Sequence, residues 1–291
     1  MTTESMAGYG SAAARPASLV IPNAAVFTQA TTAGDITGDY PSLYLPYVGS
    51  LSAAQIVAEG EEIKESDTHA KELAVKTQKV ALLNVFTNES NATADGNATA
   101  GGSGADVVTV ITEGMRKSIT EKINAIFWQN PAPTDGQPES KPTGLFNYPG
   151  IIQGGNITNK LDPIIDAIAQ VSANGGTPTA LVMGYGTWAY LLKMRYAEGQ
   201  PMINPDVANE PTPALFGVPV YLDNMAPDGK ILVNSSKDVY SASGQITVSR
   251  TDDRYFEKDS FGVRITVRIG WGIPYPNHLA VLTVNQTTTT K

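Results

Sequence analysis

Between residues 106 and 129 apolar side chains recur every three or four positions, at Val108, Ile111, Met115, Ile119, Ile123 and Ile126. That period belongs to an α-helix with one buried face. Glu113, Lys117 and Glu121 fall one turn apart on another face, where opposite charges four residues apart favour the helix. A helix of about 20 residues spans roughly 30 Å, so something of that length has to cover the stripe. Gly114 costs it about 1 kcal/mol against Ala, which packing absorbs. Pro131 and Pro133 end it.

Upstream the period changes from helical to extended. Leu43, Leu45 and Tyr47 alternate with Tyr44 and Pro46, and Pro is tolerated at the edge of a sheet. A charged stretch over residues 59–67 follows. Residues 71–86 then read as a strand, with Leu73, Val75 and Thr77 on one face and Lys76 and Gln78 on the other. Its continuation from Val80 to Phe86 is expected to be more buried. Two extended segments around a charged tip make a projecting hairpin. A two-stranded ribbon is marginal alone, so its flat face is expected to rest on another part of this chain or on another chain. Residues 1–40, broken by Pro16 and Pro22, read as an extended arm, ordered where something covers it. Leu19, Val20, Ile21, Val26 and Phe27 supply apolar side chains for docking. Residues 88–105 read as a polar, Gly-rich loop.

Downstream, helices and strands alternate. Asp162 is expected to cap a helix with Pro163 at its first position and Ile164, Ile165, Ile168 and Ala169 inward. Residues 179–183 read as a strand, and Trp188, Leu191, Leu192 and Arg195 fit a short helix. Two further strands lie in Gly217–Asn224 and Lys230–Ser236. Phe261, Val263, Ile265, Val267 and Ile269 alternate with Gly262, Arg264, Thr266 and Arg268, the pattern of a half-buried strand.

Composition narrows the chemistry. The 291 residues carry 20 Lys+Arg against 28 Asp+Glu, a formal net charge of −8, which argues against a broad nucleic-acid-binding face. With no cysteine there is no disulfide, thiolate nucleophile or Cys-ligated metal site. Two histidines, His69 and His278, leave little for a multi-histidine metal site. The opening lacks a basic stretch followed by an apolar one and does not read as a signal peptide. No run approaches 18 consecutive apolar residues, so no membrane span is expected.

The best hook for an enzyme is Gly184-Tyr185-Gly186-Thr187-Trp188-Ala189, which has the G-x-G-x-x-A spacing after an apolar strand. Tyr185 and Trp188 would crowd a pyrophosphate, and Asp206, the nearest acid at the right distance, sits in a Pro-broken run. A strand-to-helix turn packed by Trp188 is the better reading. The paired acids at 61–62 and 252–253 are adjacent, so on extended chain they point to opposite faces and make a poor acid/base pair. Arg264 and Arg268, on one strand face, suit an anion or a neighbour's carboxylates. A solvated strand face is the equal alternative.

The order of these parts resembles the major capsid proteins of tailed double-stranded-DNA bacteriophages, those with the HK97-like fold. The charged tip and residues 71–89 resemble that family's E-loop and its return strand. The helix at 106–129 resembles its spine helix, followed by Pro142-Thr143-Gly144-Leu145-Phe146 for the family's P-x-G-[LI]-[LF] segment. Leu215-Phe216-Gly217-Val218-Pro219-Val220 resembles its L-x-G-x-P-V stretch. The closing strands, with their arginines, resemble its peripheral strand and the return to the axial domain.

The resemblance implies an α+β, HK97-like capsid fold with an extended N-terminal arm, a long E-loop hairpin, a peripheral domain with a spine helix, and an α/β axial domain. The expected divisions are 1–42 arm, 43–80 E-loop, 81–154 peripheral domain, 155–247 axial domain, 248–272 peripheral strands, and 273–291 return strand and tail. It implies a structural protein, not an enzyme, with no cofactor and no metal, that assembles with itself as pentamers and hexamers into an icosahedral head. The head would enclose double-stranded DNA without sequence-specific binding. Virion location follows, with host cytoplasm during assembly, and a separate scaffolding protein, a portal and a decoration protein as partners. Subunit contacts are expected from Glu61, Glu62, Lys64 and Glu65 at the tip and from Arg264 and Arg268. Some relatives join subunits by Lys–Asn bonds. Lys64 and Asn224 are conceivable partners, but nothing in the local pattern selects them. A nanocompartment shell of the encapsulin type and a nucleotide-binding α/β enzyme are the alternatives.

Overall fold

The structure is a computed structural model that describes residues 13–16, 21–36, 40–49, 56–57, 69–87, 107–134, 141–196, 198–203 and 213–285. Two six-stranded sheets organise these residues. Strands run as β1 Ala13–Pro16, β2 Thr31–Ile36, β3 Ser42–Val48, β4 Ala70–Thr87, β5 Ile152–Ile157, β6 Ala180–Met183, β7 Ala214–Leu215, β8 Val218–Leu222, β9 Lys230–Asn234, β10 Tyr240–Thr251, β11 Ser260–Gly272 and β12 Ala280–Val284. The first sheet has the order β1-β10-β11-β4-β3, with β2 also paired to β10. The second has the order β5-β12-β9-β6-β8-β7. The helices are α1 Ala25–Thr28, α2 Val107–Gln129, α3 Asp162–Ala173 and α4 Tyr185–Lys193.

The expected ribbon is β3 antiparallel to β4, from Ser42 opposite Lys76 to Val48 opposite Ala70. Beyond it β4 continues against β11, from Thr77 opposite Gly270 to Thr87 opposite Ser260. Along this one strand the buried face changes side. Val75 is buried with Ile36 and Ala242, with Leu43, Leu45 and Leu73 packed around them. Val80 and Phe86 belong instead to the main core with Ile265, Val267 and Ile269. The expectation of a more buried continuation is therefore corrected. Residues 80, 82, 84 and 86 turn inward or half inward, while Leu83 and Val85 remain 45% and 48% exposed, because that stretch covers one core only.

Helix α2 lays Met115, Ile119, Ile123 and Ile126 into the main core, as their spacing predicts, and adds Phe127 and Trp128. Lys117 and Glu121 approach to 4.0 Å on the exposed side. A helix leaves its last carbonyls without intrahelical partners, and here residues 142–147 supply them. The Gly144 backbone N–H donates to Asn130 O at 2.9 Å, and Asn147 Nδ2 donates to Gln129 O at 3.0 Å. Asn130 Nδ2 donates to Pro142 O, and Trp271 Nε1 donates to Thr143 O at 2.6 Å. A Cβ on Gly144 would lie 2.7 Å from Trp128 O and 2.8 Å from the Gln129 carbonyl carbon. The Pro-Thr-Gly-Leu-Phe segment is thus the closure of α2, and its glycine is there for close approach.

Helix α3 buries Ile164, Ala167 and Val171. Three expectations fail here. Asp162 lies in the first turn with no side-chain capping bond, the preceding residue Leu161 being the N-cap; Ile165 is 46% exposed; and Ala169 is exposed, Ala167 taking the inward place. The carboxylate still favours the helix from the first turn through the positive end of its dipole. Arg195 lies beyond α4, bridged to Pro201.

The arm segment folds onto its own chain. Ile21, Ala24, Ala25 and Val26 are buried in the main core, with Phe27 packed against it, while Leu19 and Val20 lie outside the described residues. Ala25 N–H donates to Asn124 Oδ1 at 2.8 Å, and Asn234 Nδ2 donates to Gln29 O at 2.9 Å. Asn124 Nδ2 reaches Asp223 Oδ2 at 3.0 Å, and Trp128 Nε1 reaches the same oxygen at 2.8 Å. The other oxygen, Oδ1, accepts from Met225 N at 2.8 Å. One buried polar node therefore joins the arm, the long helix and the loop after β8. Asp223, 6% exposed, is tolerable there because both its oxygens are bonded.

Candidate assembly interface

Residues directly opposite in an antiparallel pair share a face. Leu83 faces Arg264, Val85 faces Gly262, Ala81 faces Thr266 and Lys79 faces Arg268. Alternation places Phe261, Ile265, Val267, Ile269 and Trp271 in the core, so these partners form the outer face of the first sheet. That face mixes exposed apolar side chains, Leu83 and Val85, with the exposed guanidinium of Arg264. Arg268 differs from Arg264. Its Nη1 donates to Thr77 Oγ1 at 3.0 Å, so it also ties β11 to β4 within the chain. Glu61, Glu62, Lys64 and Glu65 lie outside the described residues. Ile56 is fully exposed, and Tyr40, just before β3, and Tyr44, on β3, are 67% and 57% exposed.

The features that hinted at chemistry have structural roles. Gly184 and Gly186 open α4, and a Cβ on either would come within 2.9 Å of Asp228 Oδ1. The chain's own carboxylate thus occupies the helix N-terminus that a phosphate would need. Thr187 is buried and its hydroxyl accepts from Gly229 N at 2.9 Å. Trp188 packs against the core of the second sheet, as the strand-to-helix reading predicts. His278 Nδ1 lies 3.1 Å from Asp238 Oδ2, and its ring stacks on Tyr275 at 5.0 Å. Ser235 Oγ donates to Asp238 Oδ2 at 2.5 Å. Serine and histidine share this acid, an order that leaves the hydroxyl unactivated by the imidazole. Tyr275 hydroxyl donates to Val48 O, fastening the base of the ribbon. Among the described residues no group of three His, Cys, Asp or Glu could hold a metal, and no helix is long and apolar enough to cross a membrane. Asn224 is exposed, and Lys64 lies outside the described residues.

Sequence reasoning missed the Asn124–Asp223 node and the exposed Phe216 and Phe256. An amide between Ile123 and Phe127, one step off the apolar stripe, was the available signal for the first.

A long helix closed at its end, a ribbon fastened at its base and an apolar–cationic sheet face make up the frame of the molecule. The family model for the phage capsid family matches residues 29–284. A solved chain of Gordonia phage Cozz is similar at TM-score 0.67 and 16% identity, covering 90% of this chain and 86% of that one. The capsid of an empty GTA particle is similar at TM-score 0.67 and 15% identity, covering 90% and 89%. Mycobacterium phage Bobi gives 0.63 and 16%, covering 91% of each. No curated protein matches the sequence. The chain belongs to the phage capsid family. It has the HK97-like fold and is a structural major capsid protein, which leaves the nanocompartment and nucleotide-enzyme alternatives unfavoured.

Proposed function

We propose that copies of this chain assemble as pentamers and hexamers into an icosahedral head that encloses double-stranded DNA, with no catalytic step of their own. The capsid of an empty GTA particle shares this fold, which supports assembly into a shell. Assembly in the host cytoplasm, with a separate scaffolding protein, a portal and a decoration protein, belongs to the same proposal. So do the divisions 1–42, 43–80, 81–154, 155–247, 248–272 and 273–291.

The observation that carries the reading is the outer face of β4 and β11. Leu83 and Val85 stand beside Arg264 with solvent over them, a pattern that suits an acidic segment with an apolar residue within it. The ribbon tip has that composition: Glu61, Glu62 and Glu65 with Ile63 between them and Lys64 alongside. A neighbour's tip laid over Arg264, with Arg268 at the margin, pairs the charges. Exposed pairs of this kind orient partners more than they bind them.

Negative-stain microscopy and size-exclusion of the expressed chain test the shell: closed polyhedra or rings are expected, and a monodisperse monomer at every concentration overturns it. For the pairing, assembly yield is compared between about 50 mM and about 1 M salt, across which exposed pairs are screened. Glu61→Lys should assemble less well at low salt and lose its difference from the parent at high salt. Superimposable curves remove the pairing.

A further inference from the structure

The two ends of the β3–β4 pair are held by different parts of the chain. Where β4 passes into the first sheet, Ser42 faces Lys76, Thr77 N donates to Pro41 O at 2.9 Å, and Thr77 Oγ1 donates to Tyr40 O at 2.9 Å. Leu43, Leu45 and Leu73 pack near this end around Val75, Ile36 and Ala242. At the other end Val48 faces Ala70, and Ala70, Lys71 and Glu72 are all exposed. From Val48 the sequence runs on to the charged residues 59–67. Two strands with little covered face are marginal in water, so this end needs a tie to stay closed.

Tyr275 supplies one. Its hydroxyl donates to Val48 O, and its ring meets that of Tyr47 edge-on, with centroids 5.7 Å apart and planes at 89°. Tyr275 follows β11 on the crossing from the first sheet to β12 in the second. Its other neighbours belong to that second side. The ring stacks on His278 at 5.0 Å and 20°, and the short turn Pro276–His278 packs against α3 and β5. A Cβ on Gly176, just past α3, would come within 2.9 Å of His278 Cβ, so the histidine has little room to shift. Tyr275 therefore stands on a support that is itself packed. A hydrogen bond of this kind moves a local opening equilibrium by up to about tenfold. That is too little to decide whether the chain folds, and enough to decide how often the end of the ribbon is open.

We propose that Tyr275 is a positioning residue for subunit contact: it ties the ribbon at Val48 to the second-sheet side of the molecule, so that the ribbon meets a neighbouring copy already ordered. The inference rests on the shell reading, in which the ribbon is an assembly element. Ordering a segment on contact costs affinity, so a loosened ribbon binds its neighbour less tightly with every contacting side chain unchanged.

Tyr275→Phe keeps the ring against Tyr47 and His278 and removes the hydroxyl. Hydrogen exchange of the unassembled full chain, read by mass spectrometry, is compared with the parent, and the critical concentration for assembly is measured by light scattering. Exchange over residues 42–48 and 70–76 is expected to rise up to about tenfold, with residues 77–87 and the second sheet unchanged. The critical concentration is expected to rise by up to about tenfold with it. Tyr47→Leu, which removes the ring contact from the ribbon's side, should give the same pattern. Unchanged exchange over the ribbon in both variants overturns the tie, and a rise spread over both sheets marks a merely structural residue and overturns it too. A looser ribbon with the parent's critical concentration overturns the positioning role. A parent that never assembles overturns the shell reading and the role built on it, while the exchange comparison still decides the tie.

Discussion

Asn124 spans two segments at once: its Oδ1 accepts from Ala25 N–H at 2.8 Å, and its Nδ2 donates to Asp223 Oδ2 at 3.0 Å. The arm and the second sheet are thereby held to the long helix through one side chain. Asn124→Ala leaves the Ala25 N–H without its partner and should cost about 2 kcal/mol, while Asp223→Ala strands the donors of Asn124, Trp128 and Met225 and should cost about 3 kcal/mol or more. Chemical denaturation of the unassembled chain measures both. In a double-mutant cycle the two losses should fall short of additive, because the variants share a bond. Full additivity would mean that the node does not act as a unit.

The closure of the long helix makes a second expectation. A Cβ on Gly144 meets Trp128 O at 2.7 Å and the Gln129 carbonyl carbon at 2.8 Å, both backbone atoms that have no room to yield. Gly144→Ala should destabilise by about 3 kcal/mol, in the range of overpacked sites. Trp271→Phe loses the Nε1 bond to Thr143 O and a small part of the buried ring volume, so it should cost about 2 kcal/mol. The comparison of the two midpoints tests whether close approach outweighs the single hydrogen bond.

Tyr221 sets an alkaline limit. Burial pushes its phenol above the ordinary 10.0, with Asp223 and Tyr185 adding to the rise and the bond from Thr28 opposing it. The folded state therefore favours the neutral phenol more than the unfolded chain does. That stabilisation is complete below the unfolded pKa of about 10 and falls as pH rises through the higher folded value. Tyr221→Phe should show a shallower loss of stability above about pH 10, with little change at neutrality. Equal slopes for the two proteins would place the phenol in an ordinary environment.

How much of this was legible in the sequence varies with the range of the interaction. The stripe of Met115, Ile119, Ile123 and Ile126 and the alternation of Phe261 to Ile269 are local periodicities, and they reappear as buried faces. The change of buried side along β4 was not legible, because which face is covered depends on strands remote in sequence that pack on opposite sides. The reading of Gly184–Ala189 as a turn rested on crowding by Trp188, yet the decisive group is Asp228, about 40 residues away, lying on the glycines.

The sequence by itself determined the long helix and most of the strands, the absence of cysteine chemistry and, through motifs kept in order, the family. Backbone period and residue type are local properties, written in neighbouring positions. Only the tertiary structure decided that Asn124 meets Ala25 and Asp223, each separated from it by 99 positions, and that Leu83, Val85 and Phe216 stay outside the core. Such pairings follow from which surfaces come together when the two sheets close around the long helix, and no local pattern records that choice.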